Sequence, residues 1–188
     1  MDNRAVLLQC ALDLFAARGY DAVGVQEIVE AARVTKPTLY HYFGSKQGLL
    51  QTLLAEQLQG LVDEIKEAAE YRGDLPNNLS RLVQVHFRFA TLNPSASRLL
   101  LSLWFAPPES EAFQLALDLS SHRQEILEEL FRKAGRDHGN MRGRQRIYAL
   151  SFMGMINAYT GLWLNGHIEL NDALAYQAVH QFEHGIYS

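Results

Sequence analysis

Between one glycine or proline stop and the next, this chain spaces its apolar side chains three and four residues apart. That spacing gathers them on one face of an α-helix and leaves no alternating run that a half-buried strand would need. Leu7, Ala11, Leu14 and Phe15 form the first such face, with Asn3 as cap and Gly19 as stop. Val25, Ile28, Val29 and Ala32 form a second, shorter one. A third helix opens at Thr35 with Pro37 in its first turn and closes at Gly44, and Ser45 caps the next. The same signals place helices over about 76–92, 93–106, 110–134, 142–165 and 171–184, with a Gly/Asn loop at 135–141. An all-α fold of about nine helices is expected.

The fourth helix carries the domain organisation. From Lys46 to about Glu70 there is no proline, and Leu50, Leu53, Leu54, Leu58, Leu61, Val62 and Ile65 supply its apolar positions. About 25 residues at roughly 1.5 Å each give a rod near 37 Å. The expected boundary between two functional regions, 1–50 and 51–188, lies inside this rod and not in a flexible linker.

Charge narrows the classes of function. Net charge is −4, which argues against indiscriminate coating of nucleic acid. Residues 1–50 are neutral, with five basic and five acidic groups, and the rest carries 12 basic and 16 acidic. From Arg33 to Lys46, however, there are three bases and no acid. One cysteine excludes an internal disulfide and suits a reducing compartment, and no apolar run is long enough to span a membrane. A cytoplasmic protein is expected.

Residues 25–46 read VQEIVEAARVTKPTLYHYFGSK. A short helix, a tight turn at Arg33-Val34 and a second short helix with a polar, aromatic face compose a helix-turn-helix. The second helix is narrow enough for the major groove and offers Lys36, Pro37, Thr38, Tyr40 and His41 to base edges. Leu39 and Phe43 are four apart and turn inward, towards Leu14, Phe15 and Ile28. Residue types alone also fit a plain helical hairpin in which Tyr40, His41 and Tyr42 are packing aromatics.

The segment from Ala5 to about Leu54 resembles the DNA-binding domain of the TetR family of bacterial transcriptional regulators. The matching stretches are ALDLFAARGYDAV at 11–23 and IVEAARVTKPTLYHYFGSKQGLL at 28–50, above all Thr38 to Phe43 followed by Ser45-Lys46. The resemblance implies a helical homodimer: a three-helix helix-turn-helix domain joined by the long fourth helix to a C-terminal ligand-binding and dimerisation domain. It also implies binding to a palindromic double-stranded operator and release by a small effector. By position, Lys36, Pro37, Thr38, Tyr40 and His41 fall at base and nearby backbone contacts. Tyr42 and Lys46 fall where phosphates are held, Lys46 beside a helix N-terminus. Three departures stand out. Val23-Gly24 replaces the usual Thr-Ser, Gln26 stands where Arg is common, and Arg33 stands in the turn where Gly is usual. A left-handed Arg33 would be strained by about 1 kcal/mol, offset by a phosphate contact.

Beyond residue 55 the sequence offers patterning only. The helix from Arg142 has a stripe of small residues, Ile147, Gly154, Ala158, Gly161 and Asn165, and beside it a bulky one, Tyr148, Phe152, Met155, Tyr159 and Leu162. Small residues permit close helix approach. With Leu174, Val179, Phe182 and Ile186 of the last helix, and the family's usual interface on the last two helices, the small stripe is the expected dimer contact. His86, Phe89, Trp104, Phe105, Phe113, Phe152 and Asn157 are the candidate lining of an effector pocket, since aromatics with a few polar groups suit an apolar ligand. His180 and His184 are four apart, a spacing that could ligate a metal but that also suits solvated histidines at a helix C-terminus. No metal, cofactor or catalytic residue is expected, because no P-loop, GxGxxG, GxSxG or HExxH is present.

The function expected is a DNA-binding repressor released by a small hydrophobic or aromatic effector. Two alternatives remain at this point: a small helical enzyme or ligand carrier without a role on DNA, and an activator or regulator that takes no small-molecule effector.

Overall fold

The computed structural model describes residues 2–185, without the side chains at 118, 119 and 140. Among the described residues nine α-helices follow one another: α1 Asn3–Arg18, α2 Val25–Ala31, α3 Lys36–Phe43, α4 Lys46–Ala68, α5 Leu75–Leu92, α6 Pro94–Trp104, α7 Glu111–Asp137, α8 Gln145–Leu164 and α9 Asp172–His184. A 3₁₀ turn at Gly139–Met141 precedes α8, and no strand occurs among the described residues. Ile186 lies outside the described residues.

Local chemistry sets the helix ends. Asn171 accepts from the Leu174 N–H at 2.9 Å and Asp74 from the Asn77 N–H at 3.0 Å, each satisfying one orphan donor. Ser45 does the same for Gly48 at 2.9 Å. Three details differ from the sequence expectation. Asp2, not Asn3, caps α1 through the Arg4 N–H at 3.0 Å. The Thr35 hydroxyl meets the Thr38 hydroxyl at 3.0 Å and makes no bond to the backbone of α3. Helix α7 runs to Asp137, three residues into the stretch 135–141 expected to be loop, because Ala134 is buried and no proline interrupts it.

The chain forms two compact units. The first comprises Met1–Gln59 and Pro94–Asp118, the second Gly60–Asn93 and Leu119–Ser188. Helices α4 and α7 each contribute to both. In the first unit α1 packs on α6, α2 and α3. Leu7, Ala11, Leu12 and Phe15 of α1, Ile28 and Val29 of α2, and Leu39 and Phe43 of α3 are buried there, as are Leu99 and Leu103 of α6. Each large aliphatic or aromatic chain so buried stabilises the unit by about 1.5–3 kcal/mol. Leu14, expected inward, is only half-buried, and Leu12 takes the core position.

In the second unit α5 packs on α8 and α9. Phe131, Phe152 and Phe182 form an aromatic cluster, with Phe152 and Phe182 ring centroids 5.1 Å apart and Phe131 and Phe152 6.4 Å apart. The buried Asn78 amide donates to the carbonyls of Ala68 at 2.7 Å and Glu70 at 3.0 Å, fastening the end of α4 to α5. Among the described residues no helix is long and apolar enough to cross a membrane.

Candidate nucleic-acid interface and effector region

Within the first unit α2, a turn and α3 form the expected helix-turn-helix. Gly24 begins α2, and its N–H donates to the Glu27 carboxylate at 2.9 Å. Glu27 also pairs with Arg18 at the end of α1. The backbone bond first and the arginine second hold the Glu27 carboxyl below its ordinary pKa. Glu27 thus satisfies the Gly24 N–H from inside the helix, while the bond a hydroxyl cap would make is not made by any side chain at Gly24. In the turn, Arg33 has φ +54, the left-handed conformation, and is the non-glycine residue that adopts it among those described. The strain expected from the sequence is therefore present, and the guanidinium stands exposed.

Helix α3 buries Leu39 and Phe43 and leaves Lys36, Pro37, Tyr40, His41 and Tyr42 exposed, with Thr38 half-buried. Within α3, Lys36, Pro37, Tyr40 and His41 follow at three- and four-residue steps, so they share one outward face. Tyr40 and Tyr42 keep 46% and 41% of their surface in solvent, more than packing aromatics would. Gln26 is exposed on α2 and hydrogen-bonds Glu30 one turn later.

Lys46 is placed differently from the expectation of a phosphate ligand. Its ammonium donates to the carbonyls of Tyr20 and Val23, both at 2.9 Å, and lies 4.0 Å from the centroid of the Tyr20 ring. Burial lowers its pKa, against the carboxylates of Asp21, Glu111 and Glu27, which oppose that shift. Lys46 is thus a tether between the start of α4 and the α1–α2 loop. The Tyr20 hydroxyl donates to Glu111 at 3.0 Å, bringing the first turn of α7 into the same network. Neither Tyr20 nor Glu111 is marked by sequence pattern, because their contact spans 91 positions. Gly48 is a further residue that the sequence passes over. A Cβ there would lie 2.1 Å from the Phe43 carbonyl oxygen, so only glycine allows α4 to begin this close to the end of α3.

The expected effector residues divide between the units. Trp104, Phe105 and Phe113 belong to the first; His86, Phe89, Phe152 and Asn157 belong to the second. Phe105 is 82% exposed at the end of α6, beside the Pro107-Pro108 turn, and Trp104 is also largely exposed. Phe152 is wholly buried between Phe131 and Phe182, an aromatic core position. His86 is buried on α5, while Phe89, Phe113 and Asn157 are half-buried. In the second unit Gln84, Phe87, Arg88 and Thr91 of α5 line a cleft of about 430 Å³ with Leu170 to Asp172 and Ala175. None of the seven expected residues lines it.

Two faces of the second unit bear on assembly. The bulky stripe of α8 turns inward along most of its length: Phe152 joins Phe131 and Phe182, Tyr148 lies 5.6 Å from Phe131, and Tyr159 lies 6.4 Å from Phe87, while Leu162 at its end is exposed. The small stripe faces out, with Ile147, Gly154 and Ala158 exposed and Gly161 half-buried. On α9, Phe182 belongs to the intrachain cluster and Leu174 is half-buried. The exposed row there is Ala173, Tyr176, Gln177, His180 and His184, with Tyr176 stacked on His180 at 5.9 Å. Among the described residues no three His, Cys, Asp or Glu side chains converge to hold a metal ion.

Comparison with known proteins agrees with this arrangement. Residues 7–53 match the family model described as bacterial regulatory proteins, tetR family. The HTH-type transcriptional activator FasR of Mycolicibacterium smegmatis is 27% identical over 184 residues, spanning 98% of this chain and 82% of that protein. The HTH-type transcriptional repressor KstR2 of Rhodococcus jostii is 32% identical over 94 residues, half of this chain and 46% of that one. The fold of the transcriptional regulator FadR from Bacillus subtilis, solved in complex with stearoyl-CoA, superimposes with a TM-score of 0.79 at 19% identity, over 97% of this chain and 99% of FadR. Residues 7–53 therefore carry a helix-turn-helix DNA-binding domain of the TetR type, with Lys36, Tyr40 and His41 on its outward face.

Proposed function

We propose that the chain acts as a non-enzymatic, cytoplasmic homodimer that represses transcription from a palindromic operator and leaves it when a small apolar effector binds. The observation that carries this reading is the exposed, acid-free face from Arg33 to His41. Residues 1–50 would serve DNA and 51–188 the effector and the partner subunit. Lys36, Pro37, Thr38, Tyr40 and His41 meet base edges and the nearby backbone, Arg33, Gln26 and Tyr42 meet phosphates, and Lys46 positions the helix pair. The partner subunit packs on the small stripe of α8, at Ile147, Gly154, Ala158 and Gly161, and on the exposed row of α9. Of the expected effector residues, His86, Phe89 and Asn157 fit the role best, because they are shielded and lie in one unit. The acyl-CoA in the FadR complex supports an acyl effector for this chain.

An activator is the second reading, favoured by the similarity to FasR along nearly the whole chain. Operator position relative to the promoter separates the two. The DNA assignment is tested by selecting an operator from random duplex and titrating variants against it. His41→Ala or Lys36→Ala should relax discrimination by roughly 1–3 kcal/mol per lost base contact. Equal loss on operator and random DNA would remove these residues from base readout.

A further inference from the structure

Of the basic residues beyond position 50, half lie in one short stretch of the second unit. Residues 132–146, RKAGRDHGNMRGRQR, hold six of them and a single acid, Asp137, which accepts from the Tyr71 hydroxyl at 2.8 Å. Outside this stretch the second unit carries five basic and eleven acidic residues. A strongly basic patch thus stands in an acidic surround.

The fold gathers the stretch. Between the end of α7 and the start of α8 the chain doubles back on α7. Arg142 Nε donates to the Gly135 carbonyl at 3.3 Å, and a Cβ on Gly135 would lie 3.7 Å from the Met141 side chain and 3.8 Å from the Arg142 nitrogen. Arg136 adjoins that contact, and Arg144 and Arg146 follow Arg142 at two-residue steps. Gly143, with φ +76, turns the chain between Arg142 and Arg144. One turn before Arg136 on α7, Arg132 and Lys133 share the Glu129 carboxylate. Arg136, Arg142, Arg144 and Arg146 are exposed, and no carboxylate of a described residue pairs with them. Four like charges in so short a span repel one another, and an anion laid across them relieves that repulsion.

We infer that Arg136, Arg142, Arg144 and Arg146 form a docking surface for an acidic segment of a partner protein, separate from operator and effector. The surroundings select this occupant. No Phe, Trp or Tyr occurs in 132–146 for unpaired bases to stack on. Met141, the one large apolar side chain there, is half-buried, so nothing is offered to the interior of a lipid surface. A duplex carries one charge per about 1.7 Å along its whole length, and past the patch it would run against the acidic remainder of the unit. A short run of carboxylates ends where the patch ends. Each guanidinium can take a carboxylate with two parallel hydrogen bonds, a fit that lysine does not give. A regulator seated on DNA through its first unit would by this surface hold an acidic protein beside the promoter.

The test is fluorescence anisotropy on the full-length protein with a labelled peptide of alternating Glu and Asp. At about twelve residues it reaches at most about 40 Å when extended. Its Gln/Asn counterpart is the control. The acidic peptide should bind roughly tenfold or more tighter than the neutral one. Raising salt from about 0.01 to 0.1 M, which shortens the screening length from about 30 to 10 Å, should weaken it. The variant Arg136→Gln/Arg144→Gln/Arg146→Gln spares Arg142 and its bond to Gly135. It should lose roughly ten- to a hundredfold of the peptide's affinity, the scale of three exposed ion pairs, and keep operator affinity within about twofold. Operator-bound protein should hold the peptide as well as free protein does. If the variant does not fold, the acidic-to-neutral ratio of the unaltered protein and the operator competition decide the matter. The surface is overturned if the neutral peptide binds equally, if the variant holds the acidic peptide unchanged, or if operator displaces the peptide, which would place it on the helix-turn-helix. It is overturned too if random duplex or phosphatidylglycerol vesicles lose more affinity to the variant than the peptide does. A variant that sediments as a monomer, where the unaltered protein is a dimer, would make the patch a contact between subunits instead. Loss of operator binding by the unaltered protein's helix-turn-helix variants tests the function proposed above and leaves this surface untouched.

Discussion

An ammonium that lies over a tyrosine ring and donates to two carbonyls has little left to offer a phosphate. Lys46 is such a group, and its work is to hold the α1–α2 loop against the start of α4. Lys46→Ala should lower the stability of the protein by about 1–3 kcal/mol, since two carbonyls lose a charged donor. It should weaken operator and random duplex alike while leaving the slope of affinity against salt unchanged. A phosphate ligand behaves otherwise, reducing that slope by about one per subunit. Salt titration of the two proteins side by side tells these apart, and a shallower slope in the variant would return Lys46 to the DNA backbone. Arg33 is the contrasting residue. Its backbone is left-handed, as its position in the sequence suggests, and its guanidinium is exposed.

Elements were legible where their signals are local. Gly44, with φ +72, ends α3, Ser45 caps α4 and Asn171 caps α9, each within three residues of the helix end it serves. The Tyr20–Glu111 bond joins residues far apart in the chain, and no periodicity announces it. Gly48 shows the difference within one residue. Sequence marks it only as a glycine in a helix, where alanine would ordinarily be favoured by about 1 kcal/mol. Packing reverses the sign, because the added carbon meets a backbone oxygen that cannot step aside. Gly48→Ala should therefore destabilise the first unit and, by shifting α3 against α4, reduce operator affinity roughly tenfold or more. Thermal melts and operator titration check this, and a more stable variant with normal affinity would mean that the junction tolerates the shift. On α8, Gly154 and Ala158 of the small stripe, the one expected to meet the partner, are exposed. Ala158→Glu should sediment as a folded monomer, since an unpaired charge buried in a helix contact is costly. A fully dimeric variant would place the contact elsewhere.

At the scale of the whole molecule, the proposal requires two binding events on one chain to oppose each other. Half-sites one turn apart lie about 34–36 Å from centre to centre, so two helix-turn-helix units dock together only at the matching separation. An effector disturbs that match only by binding one conformation better than the other, however tightly it binds overall. Coupling of this kind is typically 1–3 kcal/mol, so saturating effector should weaken operator binding roughly 5–150-fold. Linkage makes the effect reciprocal, and saturating operator DNA must weaken effector binding by the same factor. The measurement is a pair of titrations with one compound found by thermal shift: operator affinity with and without it, and its own affinity with and without operator. Two equal factors above about five would establish release by effector. A compound that binds the second unit and leaves both affinities unchanged would show occupancy without coupling. The helix-turn-helix face would then keep its role on DNA, and control of the operator would have to come from something other than that ligand.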